Sequence, residues 1–183
     1  MKNFLYILPL LCLIACGGPE PRRPVKTQSG NLIKASVQRN IELLKQEEAF
    51  IQQIIGNDTL HDYLTSSTGS WYFYNSRNED TDYTPLTDDL VTLKYNLVSL
   101  ENDTIYTMEE IGAIKYRVDK QELFPGLRNS VKLLKENETA TFFFPSAMAY
   151  GYHGDNNKIG PNVPLKSTIS ILKIDKQKEN SDN

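Results

Sequence analysis

The sequence predicts an α+β fold, in which an antiparallel half-barrel sheet wraps around one short helix and an amphipathic helix precedes the sheet. Several stretches after residue 69 alternate apolar and polar side chains with the period of two that is typical of strands. Tyr and Phe, which favour strands, number ten and seven among 183 residues. Two other stretches have helical spacing, one before the strands and one between them.

The first residues have the pattern of an export signal. Lys2 supplies a positive charge, and residues 4–15 form an uncharged run of twelve, which is too short to span a bilayer. The run ends in Leu-Ile-Ala followed by Cys16, which resembles the bacterial lipobox. We therefore expect residues 1–15 to be a lipoprotein signal peptide and Cys16 to carry the lipid. The alternative is an ordinary signal peptide with an incidental Cys16.

Residues 16–34 are predicted to be a flexible tether. Three prolines and two glycines lie within residues 17–24, and this composition forms neither a helix nor a core strand. No acidic run follows Cys16, whereas some surface-exported lipoproteins carry one. We expect a protein of the cell envelope, anchored by its lipid to a membrane, which we take to be the outer membrane with the domain facing the periplasm.

Residues 35–68 are predicted to be an N-terminal helical segment. Its apolar residues follow steps of three and four, and they are Val37, Ile41, Leu44, Ile51 and Ile55. Gly56 and Asn57 supply a stop signal. The apolar face is too broad to remain in water. It packs either on its own domain or against a second copy, which would make a homodimer.

The strands begin near residue 69. Trp71 and Phe73 alternate with Tyr72 and Tyr74, and residues 90–100 alternate until a phase shift predicts a bulge near residue 97. A turn follows, and residues 104–106 start a return strand. Ile114, Tyr116 and Val118 alternate in the next one.

One helix interrupts the strands. It opens at Gly126, and Leu127, Val131 and Leu134 share one face. Asn137 stands where the chain needs a left-handed residue, and the strand at residues 139–144 follows. After Pro145 and a long loop at residues 151–164, alternation resumes from Leu165, and residues 177–183 are a polar tail.

Charge and composition exclude several functions. The net charge is −3 and no basic stripe is visible, so we expect no nucleic-acid partner. Neither His61 nor His153 has a second metal-ligating residue nearby, and we expect no metal and no cofactor. The pairs Glu109-Glu110 and Asp88-Asp89 are adjacent in sequence, so their side chains diverge and are typical of solvated turns.

Three motifs, in this order and spacing, resemble the FKBP-type peptidyl-prolyl cis-trans isomerases. They are Leu-Phe-Pro-Gly-Leu at residues 123–127, Phe-Pro-Ser-Ala-Met-Ala-Tyr-Gly at residues 144–151, and Ile-Gly-Pro-Asn at residues 159–162. The resemblance covers residues 69–176. Together with the lipobox and the N-terminal helix, it is closest to the gliding-motility-associated lipoprotein isomerases of Bacteroidetes.

The resemblance implies a pocket for proline-containing polypeptides. Transferred residue by residue, the catalytic positions are Tyr150, Tyr95 and Phe124, and the substrate-binding positions are Ile105, Tyr106, Ile114, Leu123, Leu127 and Ile159. The Tyr150 hydroxyl would hold a substrate carbonyl, and the Phe124 N–H would bond the other side of the peptide. Leu127 stands where many members of the family have Trp.

Two departures from the family pattern bear on catalysis. Tyr106 stands where the family usually has an Asp, whose carboxylate lies beside the substrate amide, and Ser167 replaces an aromatic wall residue. The resemblance therefore implies a wider pocket with less charge. The expected function is isomerisation of X–Pro bonds in exported or envelope proteins. The alternative is a proline-binding chaperone or assembly module with little turnover, and a third hypothesis is a domain that serves only as a spacer.

Overall fold

Residues 29–177 are described by the computed structural model, with side chains from Ile33 onward. The predicted signal peptide at residues 1–15, Cys16 and the end of the polar tail lie outside the described residues. The packing reported below belongs to one compact unit that begins at Val37. Across the described part of the chain, no helix is long and apolar enough to cross a membrane.

Helix α1 spans Ser29–Asn57 and is longer than the predicted helical segment on its N-terminal side. Residues 29–34 are helical rather than part of the tether. The physical reason is that the last proline before the helix is Pro24, and no later residue in this stretch lacks the N–H that a helix needs. The predicted helical segment also differs at its other end, because Leu64–Thr65 forms strand β1.

The second half of α1 packs on the sheet. Ile51 is fully buried and shares a cluster with Phe73, Leu100 and Phe143. Burying such a side chain contributes about 1.5–3 kcal/mol. The predicted apolar stripe is therefore only partly covered, since four of the helix's apolar residues remain 36–53% exposed: Val37, Ile41, Leu44 and Phe50.

Within residues 29–177, eight strands form one antiparallel sheet. After β1 they are β2 Trp71–Ser76, β3 Leu90–Tyr95, β4 Leu97–Ser99, β5 Thr104–Tyr106, β6 Ile114–Arg117, β7 Thr139–Phe144 and β8 Leu165–Asp175. The main order is β1-β2-β7-β8-β3-β6, and β4 pairs with β5 and β8. The predicted α+β class with an antiparallel sheet is confirmed.

The irregularity predicted near residue 97 is present. Asn96 separates β3 from β4, and the pairing of β4 with β5 shifts register between Leu97 and Val98. The Asn96 side chain accepts a hydrogen bond from the Thr168 N–H at 2.7 Å, and its backbone carbonyl accepts one from the Ser167 hydroxyl at 2.6 Å. The break therefore lets one stretch of chain pair with β8 on both sides of Asn96.

Two short helices lie between the strands. Helix α2, Met108–Ile111, begins with a capping box in which Thr107 and Glu110 satisfy each other's backbone N–H groups. No helix was predicted at these residues. Helix α3, Pro125–Val131, is the predicted one, with Pro125 at its first position. Asn137 has the expected positive φ, 65°, just before β7.

The main core lies between α3 and the sheet. Leu127, Val131 and Leu134 are completely buried, as the helical spacing predicts. They pack against inward-facing residues of four strands, and these include Val91, Leu93, Tyr116, Phe142, Phe144, Ile169 and Ile171. This packing fixes the N-terminal end of α3, where Phe124 precedes Pro125, against β7.

Candidate active site

Phe124 is the centre of an aromatic group at the start of α3. Its ring centroid lies 5.2 Å from that of Tyr150, 5.7 Å from that of Phe144 and 6.4 Å from that of Tyr95. Phe124 is extended, with φ −61° and ψ 149°, because Pro125 follows it and disfavours helical backbone in the preceding residue. The strand β3, the strand β7 and the segment after β7 thus each place one ring against Phe124.

A tight turn positions Tyr150. A 3-10 helix, Ser146–Met148, follows Pro145, and the Gly151 N–H donates back to the Ser146 carbonyl at 2.9 Å. Gly151 has φ 59°, a conformation that glycine adopts without steric cost. The chain therefore reverses directly after Tyr150 and leaves its ring half-buried against Phe124.

The Tyr150 hydroxyl is available for a hydrogen bond to a substrate. In the part of the protein that the structure describes, no backbone or side-chain group hydrogen-bonds to it. Burial raises the pKa of Tyr150 to about 12, and the nearby Tyr95, Asp155 and Tyr106 act in the same direction. The hydroxyl therefore keeps its proton at physiological pH and can donate a hydrogen bond.

All nine predicted pocket residues belong to one packed cluster. Tyr95, Phe124, Leu127 and Ile159 are buried, and the half-buried members are Ile105, Tyr106, Ile114, Leu123 and Tyr150. Leu127, at 0% exposure, supports the site from below rather than facing solvent. The half-buried members are the ones with surface that a bound peptide can contact.

An interaction that the sequence analysis missed connects Tyr106 to the long loop after β7. The Tyr106 hydroxyl donates to Asp155 Oδ2 at 2.5 Å, and Asn157 Nδ2 donates to the Tyr106 hydroxyl at 2.9 Å. The hydrogen bond to Asp155 raises the pKa of Tyr106. A carboxylate therefore reaches this part of the site although the residue at position 106 is not acidic.

The pKa of Asp155 is lowered. Burial acts to raise it, but the hydrogen bonds from the Tyr106 hydroxyl and from the backbone N–H groups of Ile159 and Asn157 together outweigh burial. Asp155 is thus ionised at neutral pH. In the sequence, Asp155 is only an Asp two residues before an Asn in a polar loop. This is a common turn pattern, and it does not predict the contact with Tyr106.

Lys158 adds a second bridge from the same loop. Its Nζ donates to the Ile105 carbonyl at 3.1 Å and to Glu110 Oε1 at 2.8 Å, and it lies 4.6 Å from the centroid of the Tyr106 ring. The Glu110 hydrogen bond raises the pKa of Lys158. Glu110 is exposed, as predicted, but it lies in α2 rather than in a turn, where it combines this ion pair with capping. The prediction of a solvated pair is wrong for Asp89, which is 2% exposed because it accepts hydrogen bonds from Tyr83, Leu86 and Gln177.

Ser167, where the family pattern has an aromatic wall residue, is completely buried. Its hydroxyl donates to the Asn96 carbonyl, so it fills a structural role at the break between β3 and β4. His153 is exposed beside Tyr152, and the Tyr152 side chain is 76% exposed at the loop tip.

Other polar features lie outside this cluster. His61 is exposed, stacks on Phe73 at 3.9 Å and bonds to Asp58 Oδ2 at 2.7 Å. A polar cavity of about 240 Å³ is lined by Leu64, Tyr74, Arg77, Asn78, Glu79, Lys135 and Glu138, none of which is a predicted site residue. Among residues 29–177, no three His, Cys, Asp or Glu side chains are grouped to hold a metal ion.

Comparison with known proteins identifies relatives in sequence and in fold. The family model for the FKBP-type peptidyl-prolyl cis-trans isomerase matches residues 81–172. A Neisseria meningitidis serogroup B protein named "Probable FKBP-type peptidyl-prolyl cis-trans isomerase FkpA" is 30% identical over 141 residues, which covers 77% of this chain and 48% of that protein. The chain thus spans about half the length of this curated relative.

Solved structures show the same fold. A peptidyl-prolyl cis-trans isomerase from Pseudomonas syringae pv. tomato matches with a TM-score of 0.58 and 18% identity, over 74% of this chain and 95% of that one. FkpA from Escherichia coli matches with a TM-score of 0.59 and 17% identity, over 96% of this chain and 83% of that one. The family model includes α3 and the Tyr150 segment, and the chain belongs to the FKBP-type peptidyl-prolyl cis-trans isomerase family.

Proposed function

We propose that this protein catalyses cis–trans isomerisation of X–Pro bonds in exported or envelope polypeptides. The observation that carries the proposal is the group of Tyr95, Phe124 and Tyr150, in which the Tyr150 hydroxyl has no partner among residues 29–177. The group combines an apolar wall with one free hydrogen-bond donor. An X–Pro substrate requires a site of this kind.

The chemistry needs little else. Rotation about the amide bond has a barrier of about 18–20 kcal/mol, because resonance is lost in the twisted state. The twisted amide has a less polar carbonyl than the planar one, so apolar walls favour it. A difference of about 4 kcal/mol corresponds to roughly a thousandfold in rate. No nucleophile or proton transfer is required.

In this mechanism the substrate proline lies against the aromatic group above the buried Leu127 and Ile159. The Tyr150 hydroxyl donates a hydrogen bond to a substrate carbonyl and holds the peptide on one side of the rotating bond. The Phe124 N–H holds the other side. Fixing both ends while one bond turns converts binding energy into a lower barrier.

A coupled assay with a short X–Pro peptide tests this function on the full chain. Uncatalysed isomerisation of an X–Pro bond takes tens of seconds, and we expect the protein to accelerate it clearly. A folded preparation that gives only the uncatalysed rate contradicts the enzyme proposal.

The second candidate is a proline-binding chaperone or assembly module with little turnover. Exposed apolar surface favours it, namely Tyr152 at the loop tip. NMR separates the two functions. Binding of a proline peptide without faster exchange between its cis and trans signals selects the chaperone, and the absence of binding selects a spacer role.

The N-terminal sequence supports a proposal for the location. We infer that lipid on Cys16 anchors the protein to the outer membrane with the domain facing the periplasm, where its proline-containing clients fold. The association with gliding motility rests on the sequence resemblance alone. We also infer a homodimer through the uncovered face of α1, because Val37, Ile41 and Leu44 lie at helical spacing and remain in water in the monomer.

A further inference from the structure

We propose that Asp155 is a positioning residue of the isomerase site, which fixes the loop after β7 against β5 and thereby sets the places of Ile159 and Tyr106. The inference rests on the proposed location of the substrate pocket. It assigns a role to a residue of the long loop that no sequence motif singled out.

Asp155 holds Ile159 through the backbone on both sides. Its Oδ1 accepts the Ile159 N–H at 2.7 Å, and its own N–H donates to the Ile159 carbonyl at 3.0 Å. Oδ1 also accepts the Asn157 N–H at 2.9 Å. Because Ile159 is only 3% exposed and packs in the cluster of Phe124 and Leu127, these bonds determine where the loop enters the pocket.

The other carboxylate oxygen reaches across to the sheet. Oδ2 accepts the Tyr106 hydroxyl at 2.5 Å, and Tyr106 is the last residue of β5. One carboxylate therefore joins two pocket segments that are 49 residues apart in sequence. Hydrogen bonds to a charged acceptor are stronger than neutral ones, and this bond, at 2.5 Å, is shorter than the one from Lys158 Nζ to the Ile105 carbonyl at 3.1 Å, which joins the same two segments.

Gly154, directly before Asp155, allows the loop backbone to pass close to Ile159. Gly154 has φ 69°, and a Cβ at this position would lie 2.2 Å from the Ile159 carbonyl oxygen. Only glycine permits the loop to close so tightly. Lys158 and Asn157 support the same contact from the loop side through Ile105 and Tyr106.

Asparagine at position 155 would keep the shape but not the bonding. Its amide oxygen can replace Oδ1 toward the two N–H groups. Its NH₂ group would then face the Tyr106 hydroxyl, where an acceptor is needed and Asn157 Nδ2 already donates. The loop would lose the hydrogen bond from the Tyr106 hydroxyl to a charged acceptor, while the contacts of Asn157 and Lys158 with β5 remain and each partner stays nearly the same size.

The chain offers a matched control. Asp89 accepts a tyrosine hydroxyl, that of Tyr83, at 2.6 Å, and it also accepts the backbone N–H groups of Leu86 and Gln177. None of these four residues belongs to the proposed site. This second Tyr–Asp pair has the same chemistry and the same number of hydrogen bonds, but its loss should affect only stability.

The experiment is a pair of double-mutant cycles on the full chain. The first uses Asp155→Asn, Tyr106→Phe and their combination, and the second uses Asp89→Asn, Tyr83→Phe and theirs. For each folded variant we measure kcat/KM with one X–Pro peptide, the melting temperature and hydrogen exchange of the loop amides. Tyr150→Ala is measured in parallel as a test of the pocket itself.

We expect Asp155→Asn to lower kcat/KM roughly tenfold, because a charge-assisted hydrogen bond that orients the site is lost. The double variant should be little worse than either single one, and the Ile159 amide should exchange faster. Both variants of the control pair should stay within about twofold of the wild-type kcat/KM.

Two results would overturn the proposal. In the first, Tyr150→Ala loses activity but Asp155→Asn changes kcat/KM no more than Asp89→Asn does; the pocket then stands and Asp155 has only a structural role. In the second, Asp155→Asn and Tyr106→Phe have fully additive effects, so that Asp155 does not act through Tyr106. An inactive wild type, or an unaffected Tyr150→Ala, contradicts the proposed function itself and this inference with it.

Discussion

The Tyr150 hydroxyl is the donor on which the proposed mechanism depends. Tyr150→Phe keeps the ring that packs on Phe124 and removes one oxygen, so the fold should be unchanged. A neutral hydrogen bond contributes about 0.5–1.5 kcal/mol, and kcat/KM should fall by a few-fold to roughly tenfold. Tyr150→Ala should lower kcat/KM further because it also opens the wall. An unchanged rate in Tyr150→Ala would show that the chemistry occurs elsewhere.

The structure reverses the expected effect of Tyr106→Asp on the rate. From the family pattern alone, Tyr106→Asp restores a carboxylate and should raise the rate. The structure already holds the Asp155 carboxylate at this position, and the substitution removes the hydroxyl that binds it. We therefore expect Tyr106→Asp to lower kcat/KM, since two like charges would share one small region.

The activity of Tyr106→Asp at different pH values tests whether repulsion between two carboxylates causes the loss of kcat/KM. Repulsion between two carboxylates raises the pKa of one of them, so lowering the pH from 8 to 5 favours its protonation and relieves the repulsion. The defect in kcat/KM relative to wild type should be smaller at pH 5 than at pH 8. A rate above wild type at pH 8 would support the expectation from the family pattern instead.

At the scale of elements, α1 has two different faces. Ile51 is buried against the sheet, and Glu47 Oε2 accepts the Ser146 N–H at 2.8 Å, directly before the segment that carries Tyr150. The other oxygen of Glu47, Oε1, is buried without a hydrogen-bond partner among the described residues. This face thus joins the helix to the isomerase domain, and only the opposite face is available to a second copy.

The proposed dimer can be tested on the uncovered face. Val37→Glu combined with Ile41→Glu places two charges on residues that are 53% and 49% exposed, so the monomer should keep its stability. Sedimentation velocity should show a dimer for the wild type and a monomer for the variant. Isomerase activity per chain should be unchanged. A wild type that remains monomeric at high concentration contradicts the dimer.

At the scale of the whole molecule, the proposed lipid anchor on Cys16 can be tested by fractionation. A lipid chain contributes about 0.8 kcal/mol per buried CH₂, so a diacylated Cys16 is sufficient for anchoring. Cys16→Ser should move the protein from the membrane to the soluble fraction with kcat/KM unchanged, because position 16 is far in sequence from every residue of the proposed site. Recovery of the variant in the membrane fraction would contradict the lipid anchor.

Local periodicity was sufficient to predict much of the fold. The strand pattern at residues 139–144, the irregularity near residue 97 and the buried face of α3 are properties of neighbouring residues, and the structure shows all three. The capping box of α2 was also present in the sequence, as Thr107 and Glu110, but a helix of one turn has no apolar period that reveals it.

Alternation and helical spacing predict the class of fold, and the nine residues that the family motifs place in the site all lie in one packed cluster. The pairing of β1 with β2, the bond between α1 and Ser146 and the contact of Asp155 with Tyr106 have no such local signal. The reason is physical. Periodicity reports which side of an element faces the core, whereas a contact between residues 49 or 99 positions apart depends on how the assembled sheet places the ends of its strands and loops.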